Sequence, residues 1–231
     1  FSDFIGESIK IKNKKINPIT ALEISPDNSS MVYAVNQIGK VKVYLYDFRS
    51  KKSECIFKTG TKNKFQEANH LYPSMAWNDM GSELTITFQK RDRIYLKKII
   101  LENKEKFEQL LPEEFQMVHS IDYIDNRYYL INATVEGYSD LFIYDSKERE
   151  SIALTQDYYD DLDAKISFVD GEKVILFSSN RNIEHILPAK HDTILPINDF
   201  DIYYYNLPNI QSKSDLRSIP RTLTRVTQST D

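Results

Sequence analysis

The stretch Asp160–Asn182, DDLDAKISFVDGEKVILFSSNRN, decides the fold. Two acidic residues lead into a short alternating run. A tight turn centred on Asp170-Gly171 follows, then the apolar run VILF, then Ser-Ser-Asn-Arg. Alternation over a few residues marks a strand with two unlike faces, and Asp-Gly between two such runs marks a hairpin. A lone Asp pair near an arginine could be chemistry, whereas a recurring one is scaffold, so the first question is whether the pattern returns.

It returns three times upstream. ALEISPDNSSMVYAVNQIGKVKVYLYDF spans residues 21–48, SMAWNDMGSELTITFQKRDRIYLKKI residues 74–99, and SIDYIDNRYYLINATVEGYSDLFIYDS residues 120–146. Aspartates at the first turn set the register: Asp27, Asp79, Asp125 and Asp170, spaced 52, 46 and 45 residues apart. Each copy reads as a short strand, an Asp-centred turn, an apolar strand, a polar loop and an aromatic-rich strand. A weaker fourth strand follows at 54–59, 151–155 and 221–227. Four strands every ~45 residues is the period of a propeller blade. An aspartate accepts N–H bonds two residues on and so closes a tight turn, while Gly81 and Gly171 add access to positive φ. Helical period is confined to ENKEKFEQLLPEEF, residues 102–115, where one or two helical turns are expected before Pro112.

The fold expected is therefore all-β, a propeller of four-stranded antiparallel blades. About four blades are present, near residues 19–60, 72–112, 117–156 and 162–227, within one domain; residues 1–18 are expected to be an outer strand of a preceding blade. With 231 residues, 41% of them hydrophobic, the chain can bury a sizeable core. Thirty basic residues against 34 acidic ones, with no basic stripe, give no expectation of nucleic acid. Cys55 is the only cysteine, which excludes an intrachain disulfide. No apolar run approaches the roughly 20 residues of a membrane helix, so no direct membrane insertion is expected of these residues.

Residues 154–182, LTQDYYDDLDAKISFVDGEKVILFSSNRN, resemble the TolB-type (WD-like) propeller repeat. That pattern runs leucine-threonine, a spacer, one or two aspartates, a strand, Asp-Gly-Lys, an apolar strand and Ser-x-Arg. Leu154-Thr155, Asp160-Asp161, Asp170-Gly171, Lys173 and Ser179-Asn180-Arg181 take those places. ISPDNSSMVYAV, residues 24–35, is a second clear copy; the copies at Asn78-Asp79-Met80-Gly81 and Ile124-Asp125-Asn126 are degenerate. The resemblance covers roughly residues 19–231 and implies a six-bladed ring, to which about two further blades are expected to belong. The chain opens at Phe1, as expected of a processed or excerpted piece.

Candidate binding residues are Tyr158, Tyr159, Asp160, Asp161 and Arg181, because the loop entering a first strand and the loop after a second emerge at the same end. The competing structural role is an Asp–Arg pair that braces adjacent loops. The insertion EHILPAKHDTILPINDF, residues 184–200, with His185, His191 and Asp192, separates the second and third strands of blade four. Long loops on rigid scaffolds carry function, and a protein partner is expected there. The histidine spacing does not match a zinc set, so no metal is expected, and no cofactor either. Trp77 and Tyr203-Tyr204-Tyr205 are expected in the core. There is no nucleophile elbow, His-Glu-x-x-His or phosphate loop.

These features point to a non-catalytic interaction scaffold. By the resemblance, it is a periplasmic or cell-envelope propeller of a bacterium that binds an envelope protein through its loop face. Two alternatives stay open. One is a propeller that gates or recruits substrate for a larger peptidase or hydrolase. The other is a propeller glycosidase using the first-strand carboxylates Glu23, Asp122 and Asp163.

Overall fold

The computed structural model describes residues 18–37, 40–60, 73–90, 92–184, 186, 199–208, 210, 215–216 and 222–228. Within them the hairpin logic of the sequence is realised as four sheets. Blade 1 is β1 (Ile19–Ile24), β2 (Ser30–Gln37), β3 (Lys40–Asp47) and β4 (Lys52–Gly60). Blade 2 is β5 (Ser74–Trp77), β6 (Glu83–Lys90), β7 (Arg93–Ile100) and β8 (Lys106–Leu110). Blade 3 is β9 (Met117–Tyr123), β10 (Tyr128–Val135), β11 (Tyr138–Asp145) and β12 (Glu150–Ala153). Blade 4 is β13 (Asp161–Val169), β14 (Glu172–Ser179), β15 (Asp201–Asn206) and β16 (Thr224–Arg225). Every pairing is antiparallel between strands consecutive in the chain, so each blade is a simple meander.

The first strands gather together: β5 lies against β1 and β9, and β9 against β13. This is the propeller arrangement, with inner strands on the axis and fourth strands at the rim. The physical cause shows best in β10, whose residues alternate between two different cores. Tyr129, Ile131, Ala133 and Val135 pack towards blade 2, with Ala76, Ile94 and Leu96. Tyr128 and Leu130 pack towards blade 4, with Ala164, Ile175, Phe177, Tyr203 and Tyr205. Both faces of such a sheet are apolar, and only neighbours on both sides remove them from water, at about 1.5–3 kcal/mol for each large side chain buried. A third core joins Val32, Ala34 and Val43 of blade 1 to Met75, Leu84 and Ile86 of blade 2. Trp77 and Tyr203 and Tyr205 are in the core, Tyr204 half-buried. Trp77 also ties two blades, its indole N–H donating to the Glu23 carbonyl at 3.4 Å.

The first turns are built in three ways. Asp27 Oδ1 accepts the Ser25 hydroxyl at 2.6 Å and the Ser29 N–H at 3.1 Å, with Asn28 at φ 56°. Asp125 Oδ1 accepts the N–H groups of Arg127 and Tyr128 at 2.7 and 2.8 Å. In blade 2 the accepting oxygen belongs to Asn78, which takes the Ser82 and Glu83 N–H groups at 2.9 Å, one residue before Asp79. Asp170 contributes backbone shape: it and Gly171 stand at φ 51° and 84°, the pair of positive values a two-residue hairpin turn requires.

One expectation is corrected. Residues 106–110 form no helical turn; they are β8, the rim strand of blade 2, paired from Tyr95↔Leu110 to Ile99↔Lys106. A rim strand has one free edge and a solvated face, so charged residues suit it, and pairing with β7 overrides the local preference of ENKEKFEQLL.

Candidate functional site

The residues singled out around Asp160 meet at one end of blades 3 and 4, where β10 turns into β11 and the chain enters β13. At their centre Arg181, just past the end of β14, is fully buried, with 0% of its side chain exposed. Its Nη2 donates to both oxygens of Asp161 at 2.8 Å, and Nη1 donates to Asp157 Oδ2 at 3.2 Å. Nε donates to Ser179 Oγ at 2.9 Å, and the Tyr203 hydroxyl donates to the Arg181 carbonyl at 2.6 Å. The guanidinium also faces the rings of Tyr159 and Phe177, 5.2 and 6.0 Å from their centroids. Ser-x-Arg is thus one device: the serine oxygen fixes the rotamer with which the arginine reaches across to the loop before β13.

Asp161 and Tyr159 are buried with it. The Tyr159 N–H donates to Asp157 Oδ1 at 3.1 Å, so Asp157 both pairs with Arg181 and closes the loop. Asp140 brings a third buried carboxylate, and one oxygen from each of Asp140, Asp157 and Asp161 lies within 4.8 Å of the others. Three carboxylates would suit a hard cation, and the Arg181 guanidinium sits on two of them, Asp157 and Asp161. Burial pushes the Asp161 carboxyl up, and Arg181 opposes that shift. Burial also works against the Arg181 charge, yet Asp161 and Asp157 outweigh it and raise the guanidinium.

Asp160 and Tyr158 remain partly open to solvent. Asp160 Oδ1 accepts the Ser139 N–H at 3.0 Å, and the Asp160 N–H donates to Asn180 Oδ1 at 2.9 Å. One residue thereby ties the β10–β11 hairpin of blade 3 to both loops of blade 4. Tyr158 stands edge-on to Tyr138, 5.4 Å between centroids at 74°. Below them His119 Nε2 lies 2.7 Å from Thr134 Oγ1 and 3.3 Å from Ser139 Oγ. Sequence reasoning missed Asp157, Ser139 and His119. Asp157 was within reach, because it follows Leu154-Thr155, and the Thr155 hydroxyl accepts the Leu141 N–H at 2.8 Å to anchor that loop. His185, His191 and Asp192 lie outside the described residues.

The three first-strand carboxylates have different partners. Glu23 pairs with Lys165 Nζ at 3.2 Å, linking the inner strands of blades 1 and 4. Asp122 Oδ2 accepts the Ile166 N–H at 2.8 Å and Oδ1 its neighbour Tyr123 N–H at 2.9 Å; burial pushes this carboxyl up. Asp163 is exposed at φ 55°, where the β13–β14 register shifts between Leu162 and Lys165.

Comparison with solved structures agrees with this architecture. The chain superposes on TolB from Acinetobacter baumannii with a TM-score of 0.58 at 13% identity, over 82% of this chain and 41% of that one. For a putative TolB from Agrobacterium tumefaciens the values are 0.56 and 16%, over 80% and 60%. A puromycin hydrolase gives 0.52 and 11%, over 91% and 29%. At these identities the likeness is one of fold, and the chain spans less than two thirds of each of these proteins. No curated protein matches the chain in sequence. A family model does: that of the dipeptidyl peptidase IV (DPP IV) N-terminal region covers residues 33–191, and the chain belongs to this family.

Proposed function

We propose that the chain is a non-catalytic interaction scaffold that presents the loop end of blades 3 and 4 to a protein partner in a bacterial cell envelope. The observation that carries this is the way Asp160 is held. Its carboxylate and its N–H are both spent on neighbouring loops, at 3.0 and 2.9 Å, so the surface beside it is fixed before anything binds. A surface ordered in advance loses little entropy on association. Tyr138 and Tyr158 supply half-buried aromatic area on that surface, the kind of side chain enriched at interfaces. The connection from Ser179 to Asp201, which contains the 184–200 insertion, leaves from the same end. The TolB-like resemblance supports the envelope location.

Capture from envelope extracts tests this. The parent protein and an E172Q control at the opposite end should recover the same partners, and Y138A/Y158A should lose them. Equal recovery by all three would refute the proposal.

A second reading is compatible with the family match: a propeller that accompanies a peptidase domain and selects what reaches it. The complete open reading frame tests it, since a hydrolase domain adjoining these residues is then required.

A further inference from the structure

His119 is the one histidine within this loop end among the described residues, and the function proposed above does not use it. It lies in β9, half-buried, with Nε2 in reach of two hydroxyls, Thr134 Oγ1 at 2.7 Å and Ser139 Oγ at 3.3 Å, which are themselves 3.3 Å apart. The Ser139 N–H in turn holds Asp160 at 3.0 Å. Tyr138, the residue before Ser139, packs edge-on against Tyr158, two residues before Asp160. The ring is therefore two links from the tie between blades 3 and 4. The charged groups acting on it are Asp163 of β13 and Asp160 of the loop before it, both negative; the paired strands β10 and β11 offer the hydroxyls of Thr134 and Ser139.

A neutral imidazole has one donor and one acceptor nitrogen, whereas the imidazolium only donates. We propose that His119 is a proton switch for the loop end: with the neutral ring protonated at Nδ1, Nε2 accepts from the neighbouring hydroxyls, and protonation turns it into a donor to them, places a positive charge beside Asp160 and Asp163, and so alters the Ser139–Asp160 tie and the Tyr138–Tyr158 contact. Burial holds the imidazole below the ordinary histidine range, and Asp163 and then Asp160 pull it back up. Burial is the larger effect, so the neutral ring is favoured more than in an ordinary histidine, and acidification charges it.

The test needs no partner, so its outcome is independent of the scaffold proposal. Side-chain and amide NMR signals are followed from pH 8 to pH 5 in the parent protein, H119Q and D163N. The Ser139 amide and the Tyr138 and Tyr158 ring signals should titrate with the His119 midpoint and stay flat in H119Q. In D163N, which keeps a residue tolerant of positive φ, the shared midpoint should fall by about 0.3–0.7 pH unit, as expected of a partly solvated charge pair. If H119Q fails to fold, D163N carries the test alone. Ser139 and tyrosine signals that stay flat while His119 titrates, that titrate unchanged in H119Q, or a D163N midpoint equal to the parent's would each overturn the switch.

Discussion

Replacing Arg181 by methionine removes a charge from the centre of the blade 3–4 junction while keeping most of the side-chain volume. What remains is Asp161, stripped of two bonds at 2.8 Å, and Asp157, stripped of one at 3.2 Å, both buried. Breaking a buried pair from one side costs about 3–5 kcal/mol, because the remaining charge has no water to turn to. R181M should therefore lose about that much stability at pH 7.5, read from urea unfolding. R181K should fall between, since an ammonium keeps the charge but not the fork that grips both Asp161 oxygens. The pH dependence separates a charge effect from a packing defect. Burial already raises the Asp161 carboxyl, and losing the guanidinium raises it further. A carboxyl raised in the folded state gives stability that is complete below its unfolded pKa and is lost as pH rises through the folded one. The deficit of R181M should accordingly shrink between pH 7.5 and pH 5. A deficit under 1 kcal/mol at pH 7.5, or one that grows on acidification, would show that the cluster does not work as described.

Three further outcomes follow from the same structure. T85V deletes the buried hydroxyl that meets the Tyr123 hydroxyl at 2.5 Å between blades 2 and 3, and should cost about 0.5–1.5 kcal/mol by removing one of the phenol's two partners, Tyr129 being the other; a double-mutant cycle with Y123F should show the coupling, and additive losses would contradict it. G171A should cost about 1–2 kcal/mol from φ 84° alone, since a Cβ there meets nothing within 4 Å; a neutral result in thermal unfolding would contradict the turn geometry. The Ser25 hydroxyl and then Ser29 hold Asp27 at about 2, below its ordinary 3.8, so its contribution is complete above pH 3.8 and disappears as pH falls through about 2. D27N should flatten that part of the acid-unfolding profile, and an unchanged profile would rule Asp27 out as its source.

The repeat was legible because a hairpin turn leaves a local mark: Asp27, Asp125 and Asp170-Gly171 each announce a reversal of the chain within three residues. Blade 2 was harder at both ends. Its turn depends on Asn78, which makes the same bonds from one position earlier, and its rim strand is charged enough to resemble a helix. The site was legible as a cluster and not as a division of labour. Asp160 and Asp161 are neighbours, but their side chains leave the strand entry on opposite sides, one to the Ser139 N–H and one to Arg181. Adjacency in sequence cannot say which of two aspartates enters the core. Nor does it reveal His119, whose partners are 15 and 20 residues away on two other strands.

The lone tryptophan has a practical consequence. Because the Trp77 indole reaches the Glu23 carbonyl, its fluorescence reports on the seam between the first two sheets, while Arg181 lies two seams further along. Stacked repeats that touch only their neighbours are free to come apart one seam at a time. Tryptophan emission and far-ultraviolet dichroism, followed in one denaturant series on R181M, therefore distinguish sheets that fail as a unit from loss of the fourth sheet first.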